Sequence, residues 1–251
     1  MLRNLSQYFT LILAYFTLSL GSVLASDYQV ELLNENNGFA SSIIFSIVQD
    51  KEGFLWFGTA YDGIMRYDGK RILRYQHDPN NNNSLAHNNA GNLTIDRNNN
   101  LWIGSWGGGL SKLEIETNTF HNYQNDRNNA NSISATRVKD IFEDSRGNIW
   151  LGNASGGFNK FNPERQDFTR FGYKNGRINI ESDETSHARI WDIVQTTPDT
   201  LWIGTHYGLN RFNTKTNKFK LFLPPKGLRH YEHSKVRQVL VSENDKLFLG
   251  T

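Results

Sequence analysis

The hydrophobic and polar residues of this chain form short runs separated by turn residues, and similar runs return several times. Apolar runs such as residues 44–48 (IFSIV) lead into a turn of Asp, Gly or Asn and then into a second apolar run, which predicts a β-hairpin. Runs such as residues 109–113 (GLSKL) and 157–161 (GFNKF) alternate apolar and polar residues and predict strands with one buried face. No long helical pattern occurs outside the N-terminus, so the chain is predicted to be all-β.

One five-residue phrase marks the period of these runs. It occurs five times, with starts 46, 48, 52 and 46 residues apart. The copies are LWFGT at 55–59, LWIGS at 101–105, IWLGN at 149–153, LWIGT at 201–205 and LFLGT at 247–251. Four short strands in each unit of fixed period predict a β-propeller of four-stranded antiparallel blades, in an incomplete ring of about four and a half blades. The predicted blades cover residues 40–75, 88–123, 136–171, 188–222 and, incompletely, 236–251.

Each residue type in the phrase has a predicted structural role. The large aromatic residue is expected to fill the gap between neighbouring blades. The glycine is expected to let a neighbouring backbone or ring come close, or to permit a bulge. A carbohydrate-stacking ladder of the tryptophans is the weaker alternative. The residues concerned are Trp56, Gly58, Trp102, Gly104, Trp150, Gly152, Trp202, Gly204, Phe248 and Gly250.

The N-terminus carries a different pattern. Arg3 precedes an apolar stretch from Tyr8 to Leu20, and small residues with Val23 and Ala25 follow, which predicts a secretory signal peptide over residues 1–25. An uncleaved membrane anchor is the alternative. The predicted propeller, residues 26–251, is therefore expected in the periplasm. Because the sequence ends in half a blade, we expect it to be the front piece of a longer protein.

Composition narrows the function classes. The chain has no cysteine, so disulfides and thiolate chemistry are excluded. The formal net charge is +2, which does not suggest a nucleic acid or an anionic membrane as partner. The seven histidines show no metal-ligand spacing, and no nucleophile motif occurs. Residues 78–82 and 96–100 resemble the start of a calcium loop, but both lack its Gly and its distant Glu and are predicted to be turns.

The repeats resemble those of the two-component regulator propeller family. Residues 50–75 match its pattern nearly throughout, and the connectors 78–85 (DPNNNNSL) and 126–133 (DRNNANSI) match each other. The resemblance implies an extracytoplasmic sensor region of a large bacterial signalling protein. It further implies additional blades, a membrane span, homodimerisation of the full-length protein, and a histidine kinase or diguanylate cyclase output. None of these output parts is in this sequence, so the chain as given is predicted not to be an enzyme and to need no cofactor.

Ligand binding is predicted at one rim of the propeller, where residues after each phrase vary while their flanks do not. The expected ligand is an extracellular small molecule or saccharide, because aromatic side chains stack on sugar faces. For Trp106, packing beneath the glycines at 107–109 is the alternative. A secreted propeller that binds a partner or acts as a lyase, without signalling output, is the second functional hypothesis. The predicted rim residues are Tyr61, Asp62, Trp106, Ser155, His206 and Tyr207.

Overall fold

A computed structural model of the chain describes residues 32–34, 38–39, 43–171, 181–182, 185–224, 234–244 and 246–251. The described residues from Asn34 to Thr251 belong to one compact unit. The predicted signal peptide, residues 1–25, lies outside the described residues. Within the described part, no helix is both long enough and apolar enough to cross a membrane.

The strands of the described residues form five sheets, which we number blades I to V in chain order. Blade I contains β1 (Ile44–Gln49), β2 (Leu55–Thr59), β3 (Ile64–Tyr67) and β4 (Ile72–Tyr75). Blade II contains β5 (Ala90–Ile95), β6 (Asn100–Ser105), β7 (Leu110–Glu114) and β8 (Thr119–Tyr123). Blade III contains β9 (Val138–Glu143), β10 (Ile149–Asn153), β11 (Phe158–Asn162) and β12 (Asp167–Phe171).

The last two blades differ slightly from the first three. Blade IV contains β14 (Ile190–Thr197), β15 (Thr200–Thr205), β16 (Leu209–Asn213) and β17 (Lys218–Phe222), with the short β13 (Glu181–Ser182) added beside β17. Blade V contains β18 (Gln238–Val241) and β19 (Leu247–Gly250). Every sheet is antiparallel and, apart from β13, pairs its strands in chain order. The predicted all-β propeller fold with an incomplete last blade is confirmed.

The first strand of each blade lies on the inner side of the propeller. The first strands of successive blades contact one another, and each second strand contacts the first strand of the next blade. The phrase strand of blades I to IV is therefore at a blade interface. The packing role predicted for Phe248 of blade V was wrong for the described residues, because its side chain is 60% exposed. Trp56 is fully buried in a cluster that includes Ala90 and Leu93 of blade II. A Cβ added to Gly58 would lie 2.7 Å from the carbonyl oxygen of Ala90, so the glycine allows the two blades to approach.

An aspartate at the end of the first strand holds the phrase tryptophan in blades I to III. Asp144 accepts a hydrogen bond of 2.8 Å from the Trp150 indole and further bonds from the backbone N–H groups of Arg146 and Asn148. Burial alone would raise the pKa of Asp144, but these hydrogen bonds outweigh it and hold the pKa below its usual value. Asp50 and Asp96 accept the Trp56 and Trp102 indoles at 2.7 and 2.8 Å. The loop at 96–100 is thus an Asx turn whose carboxylate binds protein N–H groups.

The third strands are more deeply buried than an alternating pattern predicts. Polar residues on these strands, such as Ser111, Asn159 and Asn210, are buried alongside apolar neighbours. Each accepts a hydrogen bond from the backbone of a connector between blades; Asn159 Oδ1, for example, accepts the N–H of Ser134 at 2.8 Å. The expectation of one buried face was wrong for these strands, because the connector covers the second face.

Side chains of the inner strands also link one blade to the next. Asp140 of blade III accepts the N–H of Ile193 at 2.7 Å, and Asp192 of blade IV accepts the N–H of Val239 at 2.5 Å. Burial, and secondarily the nearby Asp192, raises the pKa of Asp140 to about 7. Burial also raises the pKa of Asp192.

This pair predicts a fall in stability with rising pH. The protonated Asp140 contributes stability that is complete below the pKa of the unfolded chain, 3.8, and is lost as the pH rises through about 7. We expect the thermal midpoint of the wild type to fall between about pH 5 and about pH 8, and the fall to be smaller in Asp140→Asn. Thermal melts monitored by circular dichroism across this pH range measure the midpoints of the wild type and of Asp140→Asn. Asp68→Asn is the control, because the pKa of Asp68 is lowered by backbone hydrogen bonds from Arg71 and Lys70. An unchanged pH profile in Asp140→Asn would contradict the prediction.

Candidate functional site

A β-bulge occurs at the same position of the first strand in blades I to IV. In blade I, Ile44 pairs with Thr59 and Ser46 with Gly58, so Phe45 is the extra residue. The corresponding residues are Gly91, Lys139 and Trp191. A bulge turns the side chain of its extra residue away from the strand's ordinary alternation, and bulges are enriched beside functional sites. Four residues of different chemistry are thus directed to the same end of the inner strands.

A backbone hydrogen bond brings two further positions to this end of blades I to IV. The N–H that follows the phrase donates to the carbonyl of the residue just before the inner strand. Trp106 donates to Asn89 at 3.2 Å, and His206 donates to Arg189 at 3.1 Å. Arg137 accepts the corresponding bond at 2.9 Å. We call the residues that meet here the mouth cluster: Phe45, Trp106, Arg137, Lys139, Arg189, Trp191, His206 and Arg237.

Trp106 is at one end of the mouth cluster. Its ring stacks on Phe45 of the preceding blade, with centroids 5.9 Å apart and planes 13° apart. The Lys139 ammonium lies 4.2 Å from the ring centroid, and the Arg137 guanidinium lies 5.1 Å from it. A Cβ added to Gly91 would lie 3.0 Å from the Trp106 ring. Trp106 therefore packs on Gly91 of its own blade.

Trp191 is the second aromatic centre. Lys139 lies 4.8 Å from its ring centroid, so one ammonium contacts both tryptophans. The guanidinium groups of Arg189 and Arg237 lie 5.8 and 5.9 Å from the same ring. His206 stacks on it at 6.3 Å. The mouth cluster is thus a continuous series of aromatic and cationic side chains that crosses blades I to V.

Positive charge dominates this cluster. Among the ion pairs of the described residues, none involves Arg137, Lys139, Arg189 or Arg237. Burial, together with the neighbouring charges of Arg137 and Arg189, holds the pKa of Lys139 below its usual value. The adjacent carboxyls of Asp140 and Asp192 are directed to backbone N–H groups of the next blade. The arrangement can bind anionic groups.

The structure brings together two of the six predicted rim residues. Trp106, 37% exposed, and the buried His206 are both in the mouth cluster. Tyr61 is 74% exposed, and Ser155 is also exposed. Asp62 and Tyr207 use their backbone N–H groups to bond the phrase residues Thr59 and Thr205. Among the described residues, neither Tyr61 nor Tyr207 makes an aromatic stacking or cation–π contact with the mouth cluster.

Sequence reasoning missed six members of the cluster. They differ from blade to blade as the predicted rim residues do, and alignment of the five repeats places Phe45, Lys139, Trp191 and Arg237 in one column. The sequence shows that this column varies between repeats. It does not show where the side chains of the column point, because that depends on the bulge and therefore on how the two strands of each hairpin pair.

The opposite end of the inner strands has a cavity of about 530 Å³ between blades I and II. Its polar groups bond one another; Asn99 Nδ2 donates to Glu52 at 2.7 Å, and the N–H of Lys51 donates to Asn99 at 3.0 Å. Within the part of the chain that the structure describes, no group of three or more His, Cys, Asp or Glu residues could hold a metal ion. The mouth cluster is therefore the stronger candidate site.

Comparison with solved structures supports the class of fold, a β-propeller. The chain aligns over 89% of its length with the extracellular domain of the hybrid two component system BT3049 from B. thetaiotaomicron, at a TM-score of 0.75 and 23% identity. It also aligns over 88% of its length with YCF48 bound to D1 peptide, at a TM-score of 0.57 and 14% identity. The chain spans 29% of the first of these structures and 64% of the second.

Three segments of the chain match a family of propeller repeats. Residues 38–61, 84–107 and 132–155 match the family described as two component regulator propeller. Each segment contains the first strand and the phrase strand of one blade. These three segments, which cover less than half of the chain, are similar to the repeats of this family, as the sequence predicted. No curated protein matches the chain.

Proposed function

We propose that this chain is the extracytoplasmic, ligand-binding input region of a membrane-bound bacterial signalling protein whose output is a histidine kinase or diguanylate cyclase. The repeats of the two component regulator propeller family support this role. The fold shared with an extracellular domain of a hybrid two component system supports it as well. In this proposal, the remaining blades and the output domain belong to the same protein, which acts as a homodimer. The propeller region of this chain lies in the periplasm.

The mouth cluster is the observation that carries the proposal. The bulge residues lie on one repeated backbone arrangement, and their chemistry differs from blade to blade: Phe45, Gly91, Lys139 and Trp191. A constant scaffold with varied side chains at one end is the usual design of a ligand-binding site on a repeat protein. The site takes an extracellular small molecule or a saccharide. Such a ligand would contact several inner strands at once and favour one arrangement of the blades or protomers, which is how binding would reach the output.

One observation favours a lyase as the second candidate. His187 and His206 have ring centroids 5.2 Å apart, and burial together with Arg189 lowers the pKa of His187. A neutral histidine beside a guanidinium could remove a proton next to a carboxylate. A secreted propeller with this activity would need no signalling output.

The test compares variants of the full-length protein as the sole copy in its host. The host is grown on a panel of purified glycans, and the transcriptional response is measured. We expect Trp106→Ala combined with Trp191→Ala to abolish a response that the wild type gives, at an unchanged protein level. Tyr61→Ala, an exposed aromatic outside the cluster, is the matched control and should respond normally. A normal response of the double variant would reject the mouth cluster as the sensing site.

A further inference from the structure

The aromatic rings of the mouth cluster already make stacking and cation–π contacts with one another and with Lys139. Phe45 stacks on Trp106 at 5.9 Å, and Lys139 lies over the same ring at 4.2 Å. On Trp191, Lys139 and His206 occupy the ring at 4.8 and 6.3 Å. A neutral sugar that needs a free aromatic face would have to displace these contacts. Stacking of a neutral sugar on these rings is therefore not the main interaction that we expect at this site.

The groups that the cluster does offer are guanidinium groups. Arg137, Arg189 and Arg237 are exposed and occur on three successive blades, III, IV and V. Backbone hydrogen bonds hold their main chains in place; the N–H of Arg237, for example, donates to Gly250 at 2.8 Å. A guanidinium presents paired N–H donors that match the oxygens of a carboxylate, sulfate or phosphate group.

The charges of these arginines are not balanced by ion pairs within the cluster, in contrast to those of several arginines elsewhere. Arg97, Arg146 and Arg165 form ion pairs with Glu143, Asp199 and Asp167. Among the described ion pairs, none contains a cation of the mouth cluster. A group of like charges without counter-charge raises the local concentration of anions and favours their binding. The lowered pKa of Lys139, caused by burial and by Arg137 and Arg189, is a further sign of this crowding.

We infer that the mouth cluster recognises a ligand with two or more oxyanion groups, such as a sulfated or uronic-acid saccharide, through Arg137, Arg189 and Arg237. This inference rests on the proposed function and names the chemical class of its ligand. Cation–π contacts with Trp106 and Trp191 hold the arginine side chains in place, which limits the side-chain entropy lost on binding.

The experiment is isothermal titration calorimetry on the full chain with three probes. They are a dextran sulfate oligosaccharide, a neutral dextran oligosaccharide of the same length, and an oligogalacturonate. The test variant is Arg137→Gln/Arg189→Gln/Arg237→Gln. The control variant, Arg71→Gln/Arg127→Gln/Arg211→Gln, removes the same number of exposed positive charges outside the cluster. Circular dichroism checks that both variants are folded.

We expect at least one anionic probe to bind the wild type and the control variant, and to bind the test variant at least about a hundredfold more weakly. The neutral dextran should not bind, and binding should weaken with salt. Equal losses in the two variants would overturn the inference, because they would indicate non-specific attraction. Equal binding of neutral dextran, or no binding of either anionic probe, would overturn it too.

The inference and the proposed function can fail separately. If neither anionic probe binds but Trp106→Ala/Trp191→Ala abolishes signalling, the proposed function stands and the anionic ligand class is wrong. If an anionic probe binds through the arginines but that double variant signals normally, the ligand class stands and the sensing role is wrong.

Discussion

Trp150→Ala is expected to lower the free energy of unfolding by about 3 to 5 kcal/mol. Trp150 is 1% exposed and has the most extensive aromatic contacts of the phrase tryptophans. Its ring stacks on Phe158 at 5.0 Å and meets Phe212 of blade IV edge-on at 5.5 Å. The substitution removes these contacts and leaves a cavity between blades III and IV. It also leaves Asp144 without the indole hydrogen bond of 2.8 Å.

The matched control is Trp202→Ala in blade IV. Trp202 is half-buried, and its indole donates to Thr196 rather than to an aspartate. The loss should therefore be clearly smaller than for Trp150→Ala. Urea denaturation, monitored by circular dichroism, measures the unfolding midpoints of the two variants. Similar losses in the two variants would show that burial between complete blades is not what makes the phrase tryptophan stabilising.

Gly58→Ala is expected to destabilise the contact between blades I and II by roughly 1 to 3 kcal/mol. The added Cβ would lie 2.7 Å from the carbonyl oxygen of Ala90 and 3.2 Å from Leu93 Cγ. The carbonyl belongs to the backbone of β5 and cannot rotate away, so the two blades must separate. Because Gly58 is in a strand, the cost is steric.

The fifth copy of the phrase supplies the control for this substitution. Gly250 occupies the same position in blade V, and a Cβ added there would lie no closer than 3.4 Å to any atom, the nearest being Gln238 Cβ. Gly250→Ala should therefore change the unfolding midpoint little. A destabilisation as large as that of Gly58→Ala would indicate that the glycine is needed within its own blade rather than for contact with the next.

The period of the phrase was enough to predict the fold class and the order of the strands. A repeat of 46 to 52 residues with an apolar run, a turn and a second apolar run permits few architectures, and each hairpin forms between neighbouring segments. The aspartate six residues before Trp56, Trp102 and Trp150 was also visible. Its bond to the indole was not predicted, since that depends on the side chains meeting across a turn.

The candidate site was predicted only in part. Trp106 and His206 were found because they follow the phrase at a position that varies between blades. Lys139 and Trp191 were interpreted as ordinary strand residues, because a sequence does not show which residue of a hairpin becomes the bulge. Their contacts also join residues from different blades, as between Trp106 and Lys139, and no local pattern connects positions that far apart.

The sequence by itself determined the all-β class, the blade repeat, the similarity of the repeats to a known family and the buried role of the phrase tryptophan in blades I to III. These features depend on local pairing and on the alternation of residue types. Only the tertiary structure decided which side chains meet at the end of the inner strands. The bulges turn Phe45, Lys139 and Trp191 to one side, and the packing of successive blades brings them beside Trp106 and the arginines. The physical reason is that this cluster is built from a few equivalent positions in each blade, and its geometry exists only when the blades pack together.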